Sequence, residues 1–293
     1  MSFVDLHIHS EHSSDGEWSV GRIWRKAHEQ GLRAFSISDH DTVEGVAEAM
    51  EMRGDFAPRL IPNVEISTTH RGHKFHLLAP FVDWLSQELG EFLKAIRESR
   101  REQNRGRVEK LSEMGFDLSM EEVEEATGGR PVTGPAVAAV LLKKSSSPND
   151  PRLQPYYSEH RQSGEVRFYK DHFLPGRPAY TPRREASLER AIALVRRLSG
   201  VAVLAHPGLK PGVVDGGLLQ EMKEMGLQGL EVYTSYHDAK ASARYLELAE
   251  SLNLTPTAGS DFHGKVKPKV AFGSVRQGDW SMVEDLRRRR NEH

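Results

Sequence analysis

"DLHIHSEHSSDG", residues 5–16, sets two histidines one residue apart at the end of an apolar run, then closes on an aspartate and a glycine. The run that feeds it, "FVDLHI" (3–8), reads as a β-strand. Side chains two apart on a strand share a face, so His7 and His9 point the same way. An isolated pair of this kind is usually a polar turn after a strand. Its meaning depends on whether other strands end in residues of the same chemistry.

Working outward, they do. "RAFSIS" (33–38) is a second strand, and His40 follows it in "SDHD". "RLIPNVEI" (59–66) is a third, with Glu65 near its end, and "KFHLLA" (74–79) a fourth that carries His76. "VAVLA" (201–205) runs into His206, and "GLEVYT" (229–234) leads to His237. "TPTAGS" (255–260) precedes "DFHG", which holds Asp261 and His263. Helices are expected between them, capped by Ser19 and Ser187 and spanning about 42–53, 217–225 and 238–252. Such alternation predicts an α/β fold of mostly parallel strands, in a barrel or open sheet. In parallel barrels the loops at the carboxyl ends of strands meet on one face, so residues this far apart can converge.

Between the fourth and fifth strands the alternation stops. Residues 84–114 form a long charged helix, and Ser119 with Glu122 makes a capping box for another. "KKSSSPNDP" (143–151) is a loop, and a basic, aromatic segment with Tyr156, Tyr157, Arg167, Phe168, Tyr169 and Arg177 follows. The expected organisation is a barrel begun by residues 1–84, an inserted, mainly helical cap at 85–180, and the rest of the barrel at 181–293.

Composition narrows the function classes. The 293 residues carry 40 basic and 42 acidic side chains, a net charge of −2, which argues against coating long duplex nucleic acid. No run approaches the ~18 apolar residues of a membrane span. No secretory signal is visible, and the cysteine count is zero, so a cytoplasmic setting without a membrane partner is expected. The chemistry then rests on His7, His9, Asp15, His40, Glu65, His76, His206, Asp261 and His263. Imidazole with carboxylate favours Mn2+, Zn2+ or Fe2+ over calcium. Nine donors exceed what one tetrahedral site needs, which points to two or three divalent ions sharing a bridging carboxylate.

"DLHIHSEHSSDG", "SDHDT", "NVEIS", "AHPG" and "GSDFHG" together resemble the polymerase-and-histidinol-phosphatase (PHP) family, over roughly two-thirds of the chain. The resemblance implies a distorted seven-stranded βα barrel with a trinuclear metal centre that hydrolyses phosphoesters. It implies one metal on His7, His9, Glu65 and Asp261, a second on Asp15, His40 and His263, and a third on His76 and His206 bridged by Glu65. Because "SEHSSDG" carries one residue more than the commoner spacing, Glu11 is a rival to Asp15. The insertion, with "LPGRPAYTPRREASLERAI" leading back, is similar to the branch that removes the 3′-phosphate of nucleoside 3′,5′-bisphosphates, some members of which trim short RNA from the 5′ end. That branch has an R-x-H-[FI]-A motif in the insertion, whereas this chain has "GRPVTGPAVAAVL", with Arg130 but no histidine, so the substrate stays open.

The expected chemistry is in-line attack on phosphorus by a hydroxide bridging the metals. Asp41 and His237 are the conceivable proton donors. Arg130, Arg177, Arg183 and Arg184 are candidates for a second phosphate; the aromatics of the insertion suit stacking on a base or, at least equally, packing within the insertion. A nucleotide or short oligonucleotide is the expected partner. Two readings stand beside it: a small-metabolite phosphatase such as a histidinol-phosphate phosphatase, and a non-catalytic, metal-stabilised binding module.

Overall fold

The computed structural model describes residues 3–52, 58–128, 130–144, 147–158, 162–210 and 212–290. The expected helix end at Arg53, and His160 and His293, lie outside them. The fold is mixed α/β, with ten α-helices and nine strands among the described residues. None of these helices is long and apolar enough to cross a membrane.

The strands are β1 (Val4–Ile8), β2 (Ala34–Ile37), β3 (Arg59–Leu60), β4 (Glu65–His70), β5 (His73–Leu78), β6 (Ala186–Ser187), β7 (Val203–Leu204), β8 (Gly229–Thr234) and β9 (Thr255–Gly259). They form two sheets, β1-β2-β3 and β6-β4-β5-β7-β8-β9. Two isolated parallel bridges connect them, Ile8 to Phe262 and His40 to Glu65. Both bridges lie at strand ends that carry the candidate ligands.

Two expectations about the strands need correction. The stretch 59–66 is not one strand, because Pro62 supplies no N–H to a ladder and the chain resumes pairing only at Glu65. β4 and β5 are antiparallel, as are β5 and β7, so β5 runs against its neighbours. The cause is local: Arg71 and Gly72, at φ 49° and 76°, make the two-residue turn whose twist suits a hairpin.

By compactness the chain divides into Met1–Lys94 with Glu185–His293, and Ala95–Arg184. In the first unit the helices follow their caps. Ser19 accepts from the Arg22 N–H to start Val20–Glu29, which buries Val20, Ile23 and Ala27. Ser187 does the same for Leu188–Arg197, which buries Leu188, Ala191, Ile192, Leu194 and Val195. Each buried valine, leucine or isoleucine contributes about 1.5–3 kcal/mol by leaving water, the alanines less. The second unit holds the capping box, with Ser119 accepting from Glu122 N–H and Glu122 from Ser119 N–H. Its core gathers Leu111, Val137, Leu141, Phe168 and Phe173.

Candidate metal centre

β1 is buried on both faces, and that is what brings its histidines indoors. His7 and His9 are fully buried, and their Nε2 atoms approach to 3.1 Å. The chain then turns back sharply: a Cβ on Gly16 would lie 1.8 Å from the Ser10 carbonyl oxygen, so only glycine fits after Asp15. That turn points Asp15 at the cluster, where Oδ2 stands 3.3 Å from His263 Nε2 and 3.6 Å from His40 Nε2. Glu11, its rival, is exposed.

All nine candidates meet. Glu65 sits at the centre and faces two ways. Its Oε1 lies 2.9 Å from His76 Nδ1 and 3.0 Å from His206 Nε2. Its Oε2 lies 3.1 Å from His9 Nε2, 3.1 Å from His40 Nδ1 and 3.3 Å from His7 Nε2. Asp261 Oδ1 completes the set, 3.2 Å from His7 Nε2 and 3.0 Å from His9 Nε2. Three overlapping groups result, within each of which the donor atoms lie inside 4.8 Å of one another: His9, Asp15, His40, His263; His7, His9, Glu65, Asp261; and His40, Glu65, His76.

The surroundings fix which ring nitrogen is available. His7 Nδ1 pairs with Glu231 Oε1 at 2.9 Å, and His263 Nδ1 with the Asp261 carbonyl at 2.7 Å. Ser13 Oγ donates to Asp15 and accepts from the His40 N–H, which leaves it as acceptor for His9 Nδ1 at 3.2 Å. Assigned from this network, Nδ1 of all three rings carries a proton, which leaves Nε2 as the nitrogen a metal would take, displacing any proton there. Outer partners that orient imidazoles in this way are typical of metal sites.

The donor set fits divalent metal ions on two grounds. His40 Nδ1, Glu65 Oε2, Asp261 Oδ1 and His263 Nε2 are buried and lack a hydrogen-bond partner, although some lie close to one another. Buried polar atoms seldom go unpaired, and four within one cluster of imidazoles and carboxylates call for cations. Carboxylates also crowd the site: Asp5, Asp39, Glu65, Glu231 and Asp261 are all buried. Among the described residues, the cluster's carboxylates pair with histidines and a single lysine, Lys267.

The proton affinities follow from this crowding. Burial alone would depress the His9 pKa, but hydrogen bonds and charge from Asp261 and Glu65 outweigh it and raise it to about 9. Burial would likewise raise the pKa of Glu65, yet the surrounding imidazoles hold it well below the carboxylate range. Asp5, with fewer cationic neighbours, is pushed up by burial to about 6.

Backbone strain marks the same loops. His206 (φ 27°), Asp261 (φ 55°) and Asp41 (φ 56°) occupy left-handed conformations unusual for residues with side chains. The two proton-donor candidates are otherwise engaged. Asp41 accepts from the Ser67 N–H and hydroxyl at 2.7 and 2.8 Å, tying the loop after β2 to β4. His237 uses both nitrogens: Nδ1 donates to the Val232 carbonyl, and Nε2 accepts from the Gly208 N–H. Its ring stacks on Tyr245, so it anchors the loop after β7.

The arginine candidates belong to the second compact unit. Arg130 lines a groove of about 410 Å3 with Arg97, Arg100 and Arg101. Arg177 caps a turn to Leu174, and the Arg184 carbonyl accepts from the Ser99 hydroxyl; Arg183 also has a bonded partner. Of the two readings open for the insertion's aromatics, core packing holds for Phe168 and is favoured for the rest by their contacts. Phe168 is fully buried and stacks on His172, Tyr157 bonds the Leu142 carbonyl, and Tyr156 and Tyr169 pack on the same core. These rings hold the unit together.

Residues 5–124 match the PHP domain. The chain is 27% identical over 273 residues to a 3′,5′-nucleoside bisphosphate phosphatase of Chromobacterium violaceum, covering 90% of this chain and 88% of that protein. It is 29% identical to a phosphoribosyl 1,2-cyclic phosphate 1,2-diphosphodiesterase of Eggerthella lenta, covering 92% and 97%. A 5′-3′ exoribonuclease of Escherichia coli is 28% identical, covering 88% and 84%. Among solved structures, a candidate metal-dependent phosphoesterase of Bifidobacterium adolescentis superposes with a TM-score of 0.79 at 26% identity, covering 98% of this chain and 96% of that one. Together these indicate a metal-dependent phosphoesterase that carries a PHP-domain match over residues 5–124.

Several supporting residues were not singled out from sequence: Glu231, Ser13, Tyr236 and Lys267. Glu231 alone had a signal, a carboxylate inside the otherwise apolar, buried "GLEVYT" of β8.

Proposed function

We propose that this phosphoesterase removes the 3′-phosphate of nucleoside 3′,5′-bisphosphates and trims short 5′-phosphorylated RNA, with two or three divalent ions (Mn2+, Zn2+ or Fe2+) held by the nine clustered residues. The observation that carries it is the Glu65 carboxylate, each oxygen of which faces a different set of imidazoles. His7, His9, Glu65 and Asp261 would hold one ion, Asp15, His40 and His263 a second, and Glu65, His76 and His206 a third. Bound there, such ions supply positive charge that neutralises phosphoryl oxygens and acidifies water.

The chain's own groups do the rest. Glu231 and Ser13 keep His7 and His9 in one tautomer and orientation, so the site needs no rearrangement when a phosphate arrives. The two bridges joining the sheets support a distorted barrel, and both involve residues at or beside the cluster. Beside His76 and His206 lies a cavity of about 160 Å3, roughly the size of a nucleobase, walled by Phe75, Leu209, Val213 and Val214. Lys74 and Lys210 line it as well, suitably placed for a second anionic group. Arg130, Arg177, Arg183 and Arg184 are further candidates for that group. The setting is cytoplasmic, without a membrane or long duplex as partner.

The Eggerthella relative, at 29% identity over nearly its whole length, favours a second reading, cleavage of a cyclic phosphodiester of a sugar phosphate. One panel separates them. Mn2+-loaded protein is given adenosine 3′,5′-bisphosphate, phosphoribosyl 1,2-cyclic phosphate, a 5′-phosphorylated trinucleotide and histidinol phosphate. Phosphate release from the bisphosphate, with the highest kcat/KM of the four, is expected. Turnover confined to the cyclic ester establishes the second reading, and turnover confined to histidinol phosphate overturns both. No turnover by protein with confirmed bound metal points to a binding module.

A further inference from the structure

Asp261 presents its two carboxylate oxygens to two different environments. Oδ1 faces His7 and His9 and has no hydrogen-bond partner. Oδ2 accepts from the Tyr236 hydroxyl at 2.5 Å and from Lys267 Nζ at 2.7 Å. The two donors come from separate loops, one after β8 and one after the short helical turn Gly264–Val266. They also touch each other, with Nζ 5.5 Å from the centre of the Tyr236 ring. The tyrosine ring meets His206 edge-on, its centre 5.8 Å away, so it borders a second ligand candidate. Ser235 bonds the Ser260 carbonyl at 2.7 Å and ties the loop that carries Tyr236 to the end of β9.

We infer that Tyr236 and Lys267 are positioning residues, a clamp that occupies the outer oxygen of Asp261 and so presents only the inner one to a metal ion. This rests on the metal-centre reading above.

Three physical features support it. A carboxylate with one oxygen held by two short bonds, one from a cation, has only the other oxygen to offer a metal. It also cannot rotate without breaking both bonds. The Asp261 backbone is fixed as well: its N–H donates to the His7 carbonyl at 2.8 Å, and its φ of 55° is a conformation that needs outside support. Finally, Lys267 is the one non-histidine cation paired with the cluster's carboxylates among the described residues. Its charge partly offsets a crowd of buried carboxylates that like-charge repulsion would otherwise spread apart. An ordinary surface ion pair does none of this: Asp261 is 1% exposed, and the lysine side chain only 31%.

The test is metal binding by the full chain, read by calorimetric Mn2+ titration and by the visible spectrum of the Co2+-substituted protein. Tyr236→Phe and Lys267→Met are each expected to weaken Mn2+ binding at one class of site by on the order of ten- to a hundred-fold and to change the Co2+ spectrum. Lys267→Arg, which keeps a cationic donor, is expected to recover affinity to within a few-fold. Variants that bind Mn2+ like wild type overturn the clamp, even if KM rises, because Lys267 would then be serving substrate and not Asp261. Tyr236→Phe removes only a hydroxyl and carries the test should Lys267→Met fail to fold. A wild-type chain that binds no Mn2+ overturns the metal-centre reading and the clamp together; wild-type binding with unaltered variants overturns the clamp alone.

Discussion

Two pairs of histidines, one at the end of β1 and one at the β4–β5 hairpin, look alike in the sequence and behave differently in the structure. His7 and His9 are fully buried, their Nδ1 atoms are held by Glu231 and Ser13, and their Nε2 atoms converge on Glu65 and Asp261. His70 and His73 face each other across the hairpin, yet His73 is exposed and His70 bonds Glu221 on the surface. Imidazoles become ligands when one nitrogen is fixed from behind and the other meets a carboxylate away from water. Proximity alone leaves them as solvated side chains.

The comparison can be broken most decisively at its centre. Glu65→Gln keeps the shape but removes the shared charge, and several kcal/mol of electrostatic stabilisation would go with it. A fall in kcat/KM of about a thousand-fold or more, with loss of bound metal measured by elemental analysis, is expected. Retained metal and activity would remove Glu65 from the centre. Next comes the support behind the ring: Glu231→Gln should weaken metal binding by roughly ten- to a hundred-fold while far-UV circular dichroism stays the same.

Protons sharpen the contrast further. With its pKa raised to about 9, His9 is protonated at pH 7.5 in the metal-free protein, so a metal must displace that proton. Metal addition at pH 7.5 should release protons, seen as a calorimetric enthalpy that varies with the buffer's ionisation heat. Affinity should rise as pH climbs towards 9; a pH-independent affinity would contradict the raised pKa. Arg130→Ala should raise KM for the bisphosphate by about tenfold, with kcat little changed, as loss of a charged hydrogen bond would do. At the small end, His73→Ala should leave metal content and activity within about twofold of wild type. A larger loss would mean the hairpin pair is not the inert half of the comparison.

Much of the site was legible because most of the ligand candidates sit at or next to the ends of apolar runs, where a histidine or carboxylate stands out. β1, β2, β8 and β9 fall where hydrophobic runs placed them, and the capping residues Ser19, Ser119 and Ser187 start helices as expected. The hairpin was missed because Arg71 carries no strong turn signal, and the left-handed pair at Arg71 and Gly72 is a conformational fact rather than a pattern. Ser13, Tyr236 and Lys267 escaped notice for a different reason. Each acts by touching a residue brought close by folding, and nothing in its own surroundings in the sequence announces that. Phe168 shows the converse ambiguity, since an aromatic in a basic segment reads equally as a surface for bases or as core, and burial puts it in the core.

The bond between Asp5 and the Ser260 N–H spans 255 positions, and the bridge from Ile8 to Phe262 is nearly as long. Closing so large a loop is entropically slow, and it must precede any contact between His7 and Asp261. During synthesis the emerging polypeptide therefore holds His7 and His9 without Asp261 for almost its entire length, with only Glu65 within early reach. Loading with cations becomes a late event, one that can seal the finished molecule but cannot guide its early collapse.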